Sequence, residues 1–282
     1  MGGEGVACDA IATAAYRPPR NDSSGSMIRF GTSGFSYDDW VGPVYPPDLP
    51  KHAWLPFYAQ QFDTVELNVT YYRLPEARTV AGWIERTPAD FTFAVKAHRS
   101  LTHEREEADF PGFRDSLSPL VESGKLACVL AQFPHSFHAT AANRAYLGRL
   151  REELGDLRTV VEFRDQAWVG EETFDQLQTL GLGFCCVDEP RLPGLMPPVA
   201  KATGPVAYVR FHGRNAERWW EHEQAWERYD YTYQDDELRE WIPRLQELDS
   251  QAEVTLVYTN NHYRGQSVGT LRQLQALLAG AG

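Results

Sequence analysis

The sequence has no basic excess. Its 27 Lys and Arg residues face 39 Asp and Glu, a formal net charge of -12 at pH 7. That balance excludes a broad cationic surface of the kind that condenses on nucleic acid or anionic lipid, and leaves room only for a local basic pocket. Cysteine is scarce: Cys8, Cys128, Cys185 and Cys186 show no C-x-x-C spacing, so neither a zinc nor an iron-sulfur site is indicated. Buried thiols in a reducing compartment are the simpler reading. No stretch approaches the roughly 18–20 apolar residues of a membrane span, and the start lacks a basic region followed by an apolar one. Together these absences predict a cytoplasmic protein that does not contact membranes. A Gly-x-Gly-x-x-Gly after the first strand is also missing, which makes a dinucleotide-binding domain the weaker α/β alternative.

What remains is long and apolar enough for a large core: 282 residues, 43% hydrophobic. Residues Met1 to Ser26 are rich in Gly, Ala and Ser and end in PPRNDSSGS, a composition that buries little apolar surface. They are expected to form a disordered tail, or to precede a true translation start at Met27. From Met27 to Gly282 we find no linker and expect one domain.

Within it, β-type runs alternate with helical patterns, the order expected of a parallel sheet covered by helices. The strand candidates are MIRFG, DTVELN, FTFAVK, LACVLAQ, TVVEFR, GFCCVD, VAYVRFH and VTLVYTNN. Eight such runs suggest closure into a (β/α)8, TIM-type barrel. Helices are predicted over Ala141 to Leu154, where Leu147, Leu150 and Leu154 recur at helical spacing, over Asp235 to Leu248 and over Ser267 to Leu278.

Nearly every predicted strand ends on a polar residue: Ser33; Glu66 and Asn68; Lys96; Gln132; Glu162 and Arg164; Asp188; Arg210 and His212; Asn260 and Asn261. In a barrel those ends converge on one face, where active sites are built. Residues two apart on a strand point the same way, so Glu66 with Asn68, Glu162 with Arg164, and Arg210 with His212 present paired groups. The structural alternative is a set of groups that merely satisfy one another, since charges are rarely buried without partners. Lys96 is a proton donor, or a nucleophile if desolvation lowers its pKa, although charge compensation by neighbouring carboxylates is the simpler role. Glu66, Glu162 and His212 are the proton-transfer candidates.

Two loops add to this. In NNHYRGQS, Gly265 would let the backbone approach a ligand, and free amides at the start of the last helix favour an anion; an ordinary N-cap at Ser267 is the alternative. In HGRNAERWWEHEQAWERYDYTY, the aromatics Trp219, Trp220, Trp226, Tyr229 and Tyr231 suit a stacking surface or a lid, or else packing on the barrel rim.

The motifs GTSGFSYDDW, GPVYPP, FDTVELNVTYYRLP, TPADFTFAVKAHRSLTH, AQFP, VEFRDQAW, YVRFHGR and YTNNHYRG, in this order from about Arg29 to Leu278, resemble the domain of unknown function 72 family, or YecE-like proteins. The resemblance implies a TIM-type barrel and no established activity. On it, Thr32, Tyr37, Trp40, Tyr71, Tyr72, His103 and Gly213 join the strand-end residues as ligand-binding candidates. The catalytic candidates are Glu66, Glu162, His212, Lys96 and Asp188.

Three functions are compatible with these residues. The leading one is an enzyme using no metal or cofactor on a phosphorylated or otherwise anionic small molecule, neutralised by Lys96, Arg164 and Arg210. Removing charge at Lys96 or Arg210 is then expected to abolish binding and leave the fold intact. A metal-dependent phosphodiesterase or endonuclease-like barrel would use Glu66, Glu162, Asp188 and His212 as ligands. A non-catalytic barrel would recognise its ligand with the aromatic loop.

Overall fold

The computed structural model describes residues 27–224 and 226–281. The expectations of a disordered tail over residues 1–26 and of a later start concern residues outside that range, as does Cys8. Eight strands run in chain order: β1 Ile28–Thr32, β2 Thr64–Leu67, β3 Thr92–Lys96, β4 Leu126–Gln132, β5 Thr159–Glu162, β6 Gly183–Asp188, β7 Val206–Phe211 and β8 Val254–Thr259. Helices surround them: α1 Trp54–Tyr58, α2 Ala77–Glu85, α3 Phe110–Glu122, α4 Ala141–Leu154, α5 Glu171–Leu180, α6 Asp235–Arg239, α7 Ile242–Gln251 and α8 Gln266–Ala279.

All strand pairings are parallel, in the order β1-β8-β7-β6-β5-β4-β3-β2. The end strands meet through a parallel bridge between Ser33 and Glu66, with the Gly34 amide donating to the Glu66 carbonyl at 2.8 Å. The sheet is thus a closed (β/α)8 barrel. Covered by side chains within and helices without, β6 and β7 are buried along their whole length, which is why they read as apolar runs rather than alternating ones. Inside, the Tyr208 and Tyr258 rings lie 5.0 Å apart, so the lower barrel is a packed core. Helices add apolar stripes from outside, as α4 does with Leu147, Leu150 and Leu154. Among the described residues no helix is long and apolar enough to cross a membrane.

Two elements depart from expectation. The β6–β7 connection, residues 189–205, contains no helix; Pro190, Pro193, Pro197 and Pro198 each lack the amide that a helix ladder needs. The helix predicted over Asp235 to Leu248 is two, α6 and α7. Pro243 is the physical reason: in a continuous helix it could not donate to the Arg239 carbonyl, whereas in the first turn of α7 no donor is required.

Candidate functional site

Strand register decides which polar strand ends enter the mouth. Arg210 on β7 pairs in register with Tyr258, Glu162 with Gln132, and Glu66 with Ala94, all on the inner face. Arg210 stands at the centre. Its guanidinium donates to Glu162 Oε2 at 2.6 Å and to Glu66 Oε1 at 2.7 Å, and reaches Ser33 Oγ at 3.4 Å. Tyr208 donates from below to Glu66 Oε2 at 2.7 Å. Arg164, two residues beyond Glu162, places Nε 2.8 Å from Glu162 Oε1 and Nη1 3.4 Å from Glu189. Glu66, Glu162, Arg210 and His212 are all buried.

His212 completes this layer. Its Nε2 is 3.3 Å from Glu162 Oε1, and Asn260 Nδ2 is 3.2 Å from its Nδ1. With the Asn260 amide donating, the imidazole proton sits on Nε2. Burial, reinforced by Arg164, depresses the His212 pKa to about 3 against the opposing pull of Glu162, so the ring is neutral. Burial alone would raise Glu162, but Arg164 and Arg210 hold it well below the usual carboxylate range. Neither Arg164 nor His212 is aligned for a hydrogen bond to Glu162 Oε1, which is buried without one, as is Asn68 Oδ1.

Lys96 behaves differently. Its ammonium donates to Gln132 Oε1 at 2.8 Å and lies 4.5 Å from the centre of the Tyr71 ring. Among the described residues no carboxylate stands within ion-pair distance of it. Burial and then Arg210 lower its pKa to about 8. His103 packs edge-on against Tyr71 at 5.1 Å, and burial plus Lys96 depress its pKa to about 4. Tyr37 donates to the Ser33 carbonyl and stacks on His262 at 4.7 Å.

The structure does not bring every predicted site residue into this cluster. Asp188 pairs in register with Phe211, not Arg210, and therefore faces outward. There it accepts hydrogen bonds from Arg214, Tyr233 and Trp241 at 2.7–2.8 Å. Asn261 also faces out, donating to the Tyr231 carbonyl and Thr270. Thr32 bonds Tyr58 and the Gly34 carbonyl, Trp40 is buried with Nε1 on the His262 carbonyl, and Tyr72 is exposed on the rim. Gly213 contributes backbone only: at φ 89° it turns beneath Tyr231. Gly265 has a packing reason of its own, since a side chain there would strike Val44. The four residues considered as metal ligands do not form one set, because the barrel wall separates Asp188 from Glu66, Glu162 and His212.

Sequence reasoning missed Glu189. It is buried, accepts the Met196 amide at 2.8 Å and faces Arg164. Burial raises its pKa to about 7 although Arg164 opposes the shift. The period-two rule applied from inward-facing Cys185 and Val187 would have reached it.

The β7–α6 loop roofs part of the mouth. Trp226 stacks on Tyr263 at 4.1 Å, while Asn215 Nδ2 donates to the carbonyls of Glu227 and Asp230, so the loop is tied to itself and to the β8–α8 connection. Beneath it lies a cavity of about 200 Å³ between Gln132 and Arg164 on the strand ends and Trp219, Trp220, Arg228 and Tyr229 on the loop.

The family model described as "Protein of unknown function DUF72" matches residues 29–282. The UPF0759 protein YunF of Bacillus subtilis (strain 168) is 34% identical over 270 residues, covering 89% of this chain and 95% of that protein. The crystal structure of a DUF72 family protein from Thermotoga maritima MSB8 is 42% identical with a TM-score of 0.83, covering 90% of this chain and 99% of that one. One from Enterococcus faecalis V583 is 28% identical with a TM-score of 0.79, covering 90% and 96%.

Proposed function

The chain belongs to the DUF72 family, and from the charges at its barrel mouth we propose that it is an enzyme that binds a small anionic molecule, such as a phosphate ester, at the C-terminal face and carries out proton transfer there. One observation carries the reading. The carboxylates Glu66 and Glu162 are engaged by Arg210 and Arg164, whereas Lys96 is held by the neutral Gln132 and the Tyr71 ring. A desolvated ammonium without a counter-charge is costly, and an anionic group on the ligand removes that cost. The mouth also holds groups able to exchange a proton: Lys96 itself, neutral His212, and Glu189 beside Arg164. Glu162, kept ionised, stabilises positive charge that develops nearby.

Titration calorimetry with inorganic phosphate and glycerol 3-phosphate tests this. Anion binding needs Lys96 charged, so affinity is expected to fall as pH rises through about 8, and binding above that pH should take up a proton. Lys96→Met should weaken binding at pH 7 by tenfold or more. Undiminished affinity in that variant would sink the proposal. A ligand that copurifies, binds through Lys96 and is always recovered unchanged would instead favour a non-catalytic binding barrel.

A further inference from the structure

Resting on the anionic-ligand reading above, we propose that the cavity under the β7–α6 loop is a sugar-phosphate subsite, with the ring lying against Trp220 and the phosphate meeting Arg228. Arg228 carries the argument for the anion. Its guanidinium lies 5.3 Å from the centre of the Trp219 ring, its Nε is buried without a hydrogen-bond partner, and among the described residues no carboxylate stands within ion-pair distance of it. It lines the cavity together with Arg164. Two guanidiniums lining one half-open cavity, one of them lacking any carboxylate partner, suit the several oxygens of a phosphate.

The walls indicate what the phosphate is attached to. Trp220 is 54% exposed and meets only His135 edge-on among the rings, at 6.0 Å, an unusual position for an indole. Around it the lining alternates rings with hydrogen-bonding groups: Gln132, His135 and Tyr229. A purely aromatic ligand would offer nothing to the polar atoms of His135 and Tyr229. A sugar presents apolar C–H faces to an indole and hydroxyls around its edge, so it satisfies both. Size narrows the class further: at about 200 Å³ the cavity is smaller than the roughly 300–1,000 Å³ of sites for drug-sized ligands. It suits a single ring rather than a nucleotide. Gln132 joins this subsite to the reaction centre, because it both lines the cavity and holds Lys96.

The test is calorimetric and fluorimetric titration with glucose 6-phosphate, glucose and inorganic phosphate, on the wild-type chain and on Trp220→Ala, Arg228→Gln and Lys96→Met. We expect glucose 6-phosphate to bind at least tenfold more tightly than either fragment. Trp220→Ala, at a half-exposed position, should remove most of that advantage and leave phosphate affinity unchanged; Arg228→Gln should weaken both phosphate-bearing probes. Equal affinity for phosphate and glucose 6-phosphate, indifference to both loop substitutions, or no binding of glucose 6-phosphate overturns the subsite. Binding that depends on Lys96 but ignores Trp220 and Arg228 overturns it while sparing the anionic-ligand reading. Binding that depends on the loop residues but ignores Lys96 supports the subsite and removes Lys96 from the site.

Discussion

Lys96 and Arg210 look equivalent as cations at strand ends, yet their surroundings give them opposite roles. Arg210 bridges two buried carboxylates at 2.6 and 2.7 Å; removing it strands both, and breaking such a buried pair costs about 3–5 kcal/mol. The expectation that charge removal at Arg210 spares the fold is thus corrected by its geometry, while for Lys96, whose only acceptor is an amide, it stands as a proposal. Arg210→Met is predicted to lose stability of that size at pH 7 in urea denaturation. Arg210 is one of the cations that hold Glu162 well below the usual carboxylate range, so without it the folded-state pKa of Glu162 rises, the variant gains less from the ionised carboxylate, and the loss should shrink as pH falls toward about 4. A variant as stable as wild type would mean that the bridge is not formed.

At the scale of the element, β6 shows how one step of register redirects a side chain. Asp188, outward, ties α7 to the barrel through Trp241, and through Tyr233 it supports the Gly213 amide at 3.0 Å, next to His212. It is a buried acceptor for three donors rather than a member of the mouth. Asp188→Ala leaves the Tyr233 phenol and the Trp241 indole without their acceptor and Arg214 with only Glu237 and Glu240, and is expected to cost about 3 kcal/mol or more. Urea denaturation would show this, and a loss under about 1 kcal/mol would contradict the arrangement. Glu189 takes the inward place instead. Both residues are polar and adjacent after an apolar run, so a reading by strand ends sees them alike; the pairing of Val187 with Arg210 and of Asp188 with Phe211 fixes which alternate set faces inward, and the period of two then assigns Glu189 to it.

For the whole molecule, closure is what assembles the site. At the seam between β1 and β2, Gly31 is buried, and a β-carbon there would overlap the Thr64 carbonyl oxygen. Backbone cannot yield as a flexible side chain would. Gly31→Ala is predicted to destabilise the barrel by about 2 kcal/mol or more and to separate Ser33 from Glu66, which the closing bridge holds together. Thermal and chemical unfolding equal to wild type would refute that. The net charge of -12 adds a second whole-molecule feature. Screening over about 8–10 Å at physiological salt confines most of its repulsion to the outer surface, so the net charge does not conflict with the anionic ligand proposed for the mouth.

The strand order and the barrel were legible in the sequence because eight apolar runs, spaced by helical segments, leave few ways to cover a parallel sheet on both faces. The polar strand ends were legible too, since charge at the end of a buried run is costly unless it is used or paired. Partnership was not legible. That Arg210 binds two glutamates, that Lys96 binds none, that Asp188 faces α7 and that Arg228 reaches a cavity under its own loop depend on register and on contacts between residues far apart in the chain. Hydrophobic pattern is a property of each segment and can be read along it; pairing among buried charges is a property of the closed barrel, where distance and desolvation together decide which ions neutralise one another and which is left without a carboxylate partner.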